Sequence, residues 1–163
     1  AKVWATAIDG MVDVPGAQKL SSPDGVLYLA PVPSNATPLP TAWPRLFAKG
    51  VVFSLTASDP MGRVMPPAQN RDANQKLEED IRAMRRPCTP RAWWRSFGFN
   101  AQEGWREDGF SIAFATEERA YALVQVMRLA EKYNQAAIYM YRYEEGALMR
   151  HVLWVDPSKQ MTG

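Results

Sequence analysis

The sequence predicts an α+β domain, with two helices on one face of a β-sheet, preceded by an extended proline-rich arm. Two observations lead to this prediction. Ten of the 13 prolines lie before residue 70, and seven of these lie before residue 50. From residue 50 onward, apolar residues instead recur at the spacings of strands and helices. We therefore expect an arm over residues 1–48, an α+β domain over 49–156 and a tail over 157–163.

The arm is predicted to be extended because proline lacks an amide donor and fixes φ. Residues 31–44 contain five prolines, which excludes a helix or a central strand there and favours polyproline-like backbone. One short strand is expected over residues 26–30, because it is apolar and follows the turn sequence Ser-Pro-Asp-Gly.

The first half of the domain contains two strands and a helix between them. Residues 51–57 are apolar and β-branched and stop at a Ser-Asp-Pro turn, which predicts a strand. Asn70 is the expected N-cap of the first helix, whose apolar residues recur every three or four positions until Pro87 ends it. Residues 91–99 are rich in strand-forming aromatic residues and predict the second strand.

The second half of the domain is predicted to repeat this arrangement. Residues 109–115 alternate with period two, and Thr116 is placed to cap a helix with an apolar stripe from Ala120 to Ala130. Residues 136–143 and 147–155 form two strands joined by a turn with Gly146. The order β-α-β-β-α-β, with one extra hairpin strand, is that of ferredoxin-like folds, in which both helices cover the same sheet face.

The last hairpin indicates which side chains lie on the sheet face that the helices do not cover. A turn centred on Glu145 and Gly146 would place Tyr139, Tyr141 and Tyr143 opposite Val152, Arg150 and Leu148, respectively. These side chains, together with Trp154, are expected on the uncovered face. An aromatic patch of this size is larger than a monomer usually exposes to water. Either the arm covers it as a second small core, with anchors such as Trp43 and Phe47, or a partner molecule does.

Composition and motifs argue against an enzyme. The chain has 47% hydrophobic and 22% charged residues, which is typical of a soluble globular protein, and no apolar run long enough to cross a bilayer. The single cysteine, Cys88, and the single histidine, His151, leave no disulfide, thiolate cluster or multi-histidine site. No glycine-rich phosphate loop or aspartate-rich calcium loop is present. We expect no catalytic residues, no cofactor and no metal.

Two other functions stay open. Residues 106–114 resemble the third-strand signature of RNA recognition motifs, which would bind single-stranded RNA. Asp108 and Ile112 depart from that signature, and a net charge of +2 is low for phosphate binding, so nucleic acid is not the expected partner. Glu107, between Trp105 and Phe110, is instead placed to serve a small-molecule pocket.

One basic and aromatic cluster follows the first helix. It consists of Arg82, Arg85, Arg86, Arg91 and Arg95, with Trp93 and Trp94 among them. Arginines at a helix end are often simply solvated. The functional interpretation is an electrostatic docking patch for an acidic protein surface.

Residues 50–155 resemble a family of small bacterial and algal proteins known only as a domain of unknown function. The resemblance is carried by residues 55–60, by Asn70-Arg71 with Asn74 and Leu77, by residues 105–110 and by residues 134–138. Asp59 stands where this family is expected to have asparagine before Pro60. The resemblance implies no activity and no catalytic residues, and it does not include the arm.

The whole chain also looks like an accessory stromal subunit of algal photosystem I. This similarity implies a location in the plastid stroma, peripheral to the thylakoid membrane, with photosystem I core or antenna subunits as partners; the alternative location is cytoplasmic. The start at Ala1 would fit removal of a transit peptide. We therefore expect a non-catalytic accessory subunit that docks on a larger assembly. The predicted docking residues are Trp43, Phe47, Tyr139, Tyr141, Tyr143, Trp154, Arg85, Arg86, Arg91, Trp93 and Trp94.

Overall fold

The structure is a computed structural model that describes residues 7–17, 23–29, 36–38, 45–60, 63–145 and 147–156. Its strands are β1 (Ile8–Val12), β2 (Val26–Leu29), β3 (Ala36–Pro38), β4 (Gly50–Thr56), β5 (Ala92–Asn100), β6 (Trp105–Ala115), β7 (Ala137–Glu144) and β8 (Ala147–Trp154). Its α-helices are α1 (Arg45–Ala48), α2 (Pro67–Ala83) and α3 (Arg119–Lys132). None of the helices in these ranges is long and apolar enough to span a membrane.

All of these strands belong to one antiparallel sheet, in the order β2-β1-β5-β6-β4-β7-β8-β3. The α+β class predicted from the sequence is therefore confirmed. The register of the last hairpin also agrees with the prediction, because Tyr139, Tyr141 and Tyr143 lie opposite Val152, Arg150 and Leu148.

The arm joins this sheet instead of lying beside it. The sequence predicts one strand in the arm, whereas its described part contributes β1, β2 and β3. Strand β1 has the sequence Ile-Asp-Gly-Met-Val, which is not a strong local strand signal. It forms because β2 pairs with one of its edges and β5 with the other. Pro38 is tolerated in β3 because this strand lies at the edge of the sheet.

The face of the sheet under the helices forms the larger core. Side chains of β4 and β6 that point to this face, such as Phe53 and Phe114, contact each other with ring centroids 6.1 Å apart. Leu77 and Ile81 of α2 and Val126 of α3 are buried against them. The period-two pattern of β6 places its large apolar side chains on this face.

The two helix starts differ from the predicted caps. Helix α2 begins at Pro67 with Pro66 as N-cap, one turn before Asn70. Proline suits the first helical position because its missing N–H would have no partner there. Thr116 opens a 3₁₀ turn over Thr116–Glu118, and α3 itself begins at Arg119.

The opposite face of the sheet is concave and holds a second core. Asp9 of β1 accepts hydrogen bonds from Tyr141 of β7 and Arg150 of β8, although three strands separate β1 from β7 in the sheet. The sheet must therefore curl until its two sides meet. Its interior contains Met11, Leu27, Leu29, Phe47, Val52, Trp94, Tyr139, Tyr141 and Leu148.

Candidate functional site

The segments that carry the family resemblance meet at one end of the sheet, and Asn74 of α2 is the central contact. Its Oδ1 accepts a hydrogen bond from the Ala57 amide at 2.9 Å. Its Nδ2 donates to Ser58 Oγ at 2.8 Å and to the Asp108 carbonyl at 3.0 Å. One side chain thus fastens α2 to the end of β4 and to β6.

Asn70, one turn earlier, holds the loop between β4 and α2. Its Oδ1 accepts from the Asp59 amide at 3.0 Å, and its Nδ2 donates to Asp59 Oδ1 at 2.8 Å. Asp59 has φ of 45°, a left-handed conformation that asparagine and aspartate tolerate better than most residues. Gln135, which is buried, donates to the Ser58 carbonyl at 3.0 Å. These contacts form a hydrogen-bond network, which we call the loop network, among residues 57–59, Asn70, Asn74 and Gln135.

A groove of about 1010 Å³ runs from this loop network along α2, and we call it the α2 groove. One wall is α2 and the floor is the part of β5 and β6 that α2 leaves uncovered. The charged residues that line it are Arg71, Glu78, Glu79, Arg82, Arg95, Arg106 and Asp108. Phe97 and Phe110 supply the apolar part of the floor. The volume lies at the upper end of the range for ligand pockets.

Two of the four arginines in the α2 groove are held in place. The Arg82 guanidinium lies 5.2 Å from the centre of the Trp93 ring and forms an ion pair with Glu78 at 2.8 Å. The Arg106 guanidinium lies 4.0 Å from the centre of the Phe97 ring and pairs with Asp108 at 3.1 Å. Among the residues that the structure describes, Arg71 and Arg95 have no acidic partner, and both are exposed.

A second, smaller cavity of about 40 Å³ lies inside the curled sheet. Its floor consists of small residues: Ser54, Thr56, Ser96, Gly98, Gly109 and Ala137. Asp9, Glu107, Trp105 and Tyr139 complete its walls. Burial raises the pKa of Asp9 to about 6, because the loss of hydration outweighs the attraction of Arg150. Glu107 is buried as well, with 6% of its surface exposed.

The predicted arm and tyrosine residues occupy different environments. Trp43 lies outside the described residues. Phe47 is fully buried in the concave core, with its ring centroid 6.1 Å from that of Trp94. Tyr139 and Tyr141 are buried there too, which agrees with the second-core alternative, whereas Tyr143 is 44% exposed. Trp154, at the end of β8, is partly exposed. Contact of any of these residues with a partner stays a prediction.

The predicted basic cluster is divided by the sheet. Arg85 Nη1 donates to the carbonyls of Arg82 and Met84, so this side chain caps the end of α2. Arg86 and Arg91 are exposed beyond it, and Arg91 lies 4.0 Å from Glu117. Trp93 faces Arg82, but the next residue, Trp94, is buried on the concave side. The cluster is therefore not one continuous surface.

The single histidine and the single cysteine of the sequence both make structural contacts. His151 lies 3.1 Å from Glu144 and opposite Met140 in the β7–β8 pair. The Cys88 thiol donates to Gln125 Oε1 at 2.8 Å. Burial raises the pKa of this thiol, even though arginines precede and follow it in the sequence.

Sequence reasoning missed Arg71, Phe97 and Arg106 as site residues. The signal that could have found Phe97 is the alternation of aromatic and basic residues along β5, which places Trp93, Arg95, Phe97 and Phe99 on one face. Arg106 becomes part of this surface only through the β5–β6 register, in which it lies opposite Phe99.

A family model described as "Protein of unknown function (DUF3293)" matches residues 55–138, more than half of the chain. The protein belongs to this family. The resemblance to a domain-of-unknown-function family is therefore confirmed for residues 55–138. This segment contains the loop network and all the arginines of the α2 groove. No curated protein and no solved structure matches the chain. The similarity to photosystem I subunits stays a prediction.

Proposed function

We propose that this DUF3293 protein is a non-catalytic docking module that binds an acidic segment of a partner protein in the α2 groove. The observation that carries the proposal is the arrangement of four arginines around a groove with a partly apolar floor. Surfaces that recognise acidic partners use this combination, because charge steers the encounter and apolar contact retains the partner.

The balance of charge in the groove supports an acidic occupant. Four arginines face three carboxylates, and two of those carboxylates are already engaged by Arg82 and Arg106. Arg71, Arg95 and Glu79 are then the charged lining residues that have no ion pair within the described part of the chain. A carboxylate entering the groove would therefore find two guanidinium groups whose donors are free to bind it in bidentate fashion.

The same groove is less suitable for RNA, which is the alternative that the sequence left open. Glu78, Glu79 and Asp108 would repel a continuous phosphate backbone. The guanidinium groups of Arg82 and Arg106 already lie on the Trp93 and Phe97 rings, where bases would otherwise stack. On the concave face, where RNA recognition motifs stack bases, the described arm covers the sheet.

A docking role on a larger assembly is compatible with this groove, and photosystem I as that assembly remains the prediction from the sequence. We further propose a ferredoxin-like topology for the domain. The central strand order β5-β6-β4-β7 supports it, because each β-α-β unit encloses one strand of the other unit. An experimental structure with β4 at the sheet edge would contradict this topology.

The docking proposal can be tested by fluorescence anisotropy with the full chain. The probe is a short labelled peptide in which glutamate alternates with leucine, and the control peptide has glutamine in place of glutamate. We expect saturable binding of the acidic peptide alone, weakening as salt rises. Arg95→Glu should lower the affinity by about tenfold, which corresponds to ~1.4 kcal/mol.

The matched control is Arg128→Glu, which reverses an exposed arginine on α3 outside the groove and should leave binding unchanged. Equal loss of affinity in both variants would indicate a general charge effect and would contradict the proposal. Tighter binding of labelled oligouridine than of the acidic peptide would favour the RNA alternative instead.

A further inference from the structure

Three aromatic side chains are in contact on the sheet face beside the α2 groove. Tyr28 of β2 lies edge to face against Phe97 and Phe99 of β5, with ring centroids 6.3 and 6.2 Å apart, respectively. The Phe97 and Phe99 rings are 5.9 Å from each other. Tyr28 is 47% exposed, and both phenylalanines are half-buried. Together with Trp105 and Arg106, the three rings line a cleft of about 400 Å³, which we call the aromatic cleft.

The three rings meet because a glycine lies between them in the sheet. Gly10 of β1 is paired with Tyr28 on one side and with Phe97 on the other. A Cβ at Gly10 would lie 2.3 Å from Phe97 Cζ, so any side chain there would displace this ring. The Phe97 ring instead lies across the glycine and reaches Tyr28. One aromatic surface thus extends over three strands.

The aromatic cleft is continuous with the α2 groove, because Phe97 and Arg106 line both. Along β5, Arg95 lies in the groove and Phe99 lies in the cleft. Their side chains are four residues apart and therefore on the same face of the strand. Four residues of extended chain span about 13 Å. A single extended segment lying along β5 can therefore contact both sites.

The chemistry of the aromatic cleft favours an aromatic occupant. The Arg106 guanidinium already lies 4.0 Å from the centre of the Phe97 ring, so its charge would repel the cationic groups that aromatic clusters otherwise bind. A further ring can pack against Tyr28 or Phe99 in the edge-to-face arrangement that aromatic pairs prefer. Tryptophan and tyrosine are also the side chains that most often anchor protein interfaces.

We infer that the aromatic cleft receives a tryptophan or tyrosine side chain of the partner segment, four residues from the carboxylate that Arg95 binds. The inference rests on the proposed function, because it names the second anchor of the segment that enters the α2 groove. Charge would select the segment at one end, and ring packing against Tyr28 and Phe99 would select it at the other.

Fluorescence anisotropy with the full chain tests this inference. The reference probe is the labelled glutamate–leucine peptide. Two further probes carry a tryptophan four residues before its first glutamate or four residues after its last one, which covers both directions of the segment, and serine fills the positions between. We expect one of the two to bind about tenfold more tightly than the same peptide with serine in place of tryptophan. Tryptophan at a spacing of three should give a smaller gain, because it would point away from the sheet.

Variants of Tyr28 locate the gain in affinity. Tyr28→Ser removes the most exposed ring of the aromatic cleft and should abolish the gain, whereas Tyr28→Phe keeps a ring there and should retain it. The matched control is Tyr143→Ser on β7, because Tyr143 is 44% exposed and lies outside both sites. This control should bind every probe as the wild type does.

Two results would overturn the inference and leave the proposed function standing. In the first, the reference peptide binds and neither tryptophan peptide binds more tightly than its serine counterpart. In the second, the gain from tryptophan is unchanged in a folded Tyr28→Ser variant, which would place the ring elsewhere. If the reference peptide and the tryptophan peptides all fail to bind, the proposed function itself is wrong and the inference falls with it.

Discussion

Single side chains decide how the elements of this protein are joined. Asn74 makes three hydrogen bonds that connect α2 with β4 and β6, and Asn70 closes the loop before α2. On the concave face, Asp9 connects β1 with β7 and β8. The sequence resemblance pointed to both asparagines, but it did not indicate Asp9, because nothing in the arm marks that residue as a contact of the domain.

Asn74→Ala should strongly destabilise the protein. The substitution leaves the Ala57 amide without its side-chain acceptor, removes one donor to the Asp108 carbonyl and breaks the contact with Ser58; an unsatisfied buried group alone costs about 1–3 kcal/mol. We expect a loss of about 2–4 kcal/mol in the free energy of unfolding, measured with urea. Gln75→Ala, one position along on an exposed site, is the control and should change stability by less than about 0.5 kcal/mol. Similar losses for both variants would contradict the role of Asn74.

Asp9 should make stability depend on pH. Its pKa rises from the ordinary value of 3.8 to about 6 in the folded protein, so the folded state binds a proton more tightly than the unfolded state. The corresponding contribution is fully present below pH ~4 and is lost as pH rises through ~6, about 3 kcal/mol in total. Arg150 stays charged throughout; Tyr139, Tyr141 and Glu107 are the other titratable groups on this face.

The measurement is urea unfolding of the wild type and of Asp9→Asn at several pH values. The difference between their free energies of unfolding should change by about 2.5 kcal/mol between pH ~4 and ~7. Asp72→Asn, at an exposed site on α2, should show no such change. A pH-independent difference between wild type and Asp9→Asn would disprove this assignment.

At the level of elements, the strongest local patterns were predicted correctly. The strand around Phe53, the helix over 119–132 and the pairing of Tyr141 with Arg150 follow from period and turn chemistry. The predicted start of α2 was wrong by one turn. The Asn70 side chain hydrogen-bonds to the preceding loop, and two proline residues begin the helix. Strand β1 was missed because its pairing is long-range, and no local signal encodes it.

The α2 groove was predicted only in part, for the same reason. The sequence placed Trp93 and Arg95 in a basic cluster, but it could not separate Trp93 from Trp94, which lie on opposite faces of β5. Nothing in the sequence indicated that Arg71 and Arg106, which are distant along the chain, line the same groove. Both facts depend on packing between elements.

The close pairing of β4 and β6 depends on Gly109. A Cβ at this position would lie 2.2 Å from the Leu55 carbonyl oxygen and 2.9 Å from Thr56 Cα, which are backbone atoms. Gly109→Ala should therefore push the two strands apart and cost about 3 kcal/mol or more. Gly98→Ala, which meets only ordinary contacts on the neighbouring strand, is the matched control. Thermal unfolding of both variants checks the prediction; equal midpoints would contradict it.

At the scale of the whole molecule, the proline-rich arm is part of the folded unit in its described segments. Phe47, Met11, Leu27 and Leu29 bury the concave face of the sheet. Covering this face supplies much of the second core, since each large apolar side chain buried there contributes about 1.5–3 kcal/mol. The described arm therefore covers most of the concave face, which the sequence left open to a partner, and our docking proposal concerns the α2 groove instead.

Removal of the arm should expose this core. A chain that starts at Lys49 would leave Val52, Trp94 and Tyr141 without their cover. We expect it to aggregate or to bind the dye ANS, whereas the full chain should not. A monomeric, dye-silent truncated protein would show that the arm does not cover the concave face.

The central claim, that the α2 groove receives an acidic protein segment, is tested most directly by NMR titration of the full chain with the glutamate–leucine peptide. We predict that the shifts concentrate in Arg71, Arg95, Phe97 and Arg106 and that they saturate. Arg128 and the rest of the exposed face of α3 should be unaffected. Saturating shifts on α3 or around Tyr143, with the α2 groove unchanged, would contradict the claim.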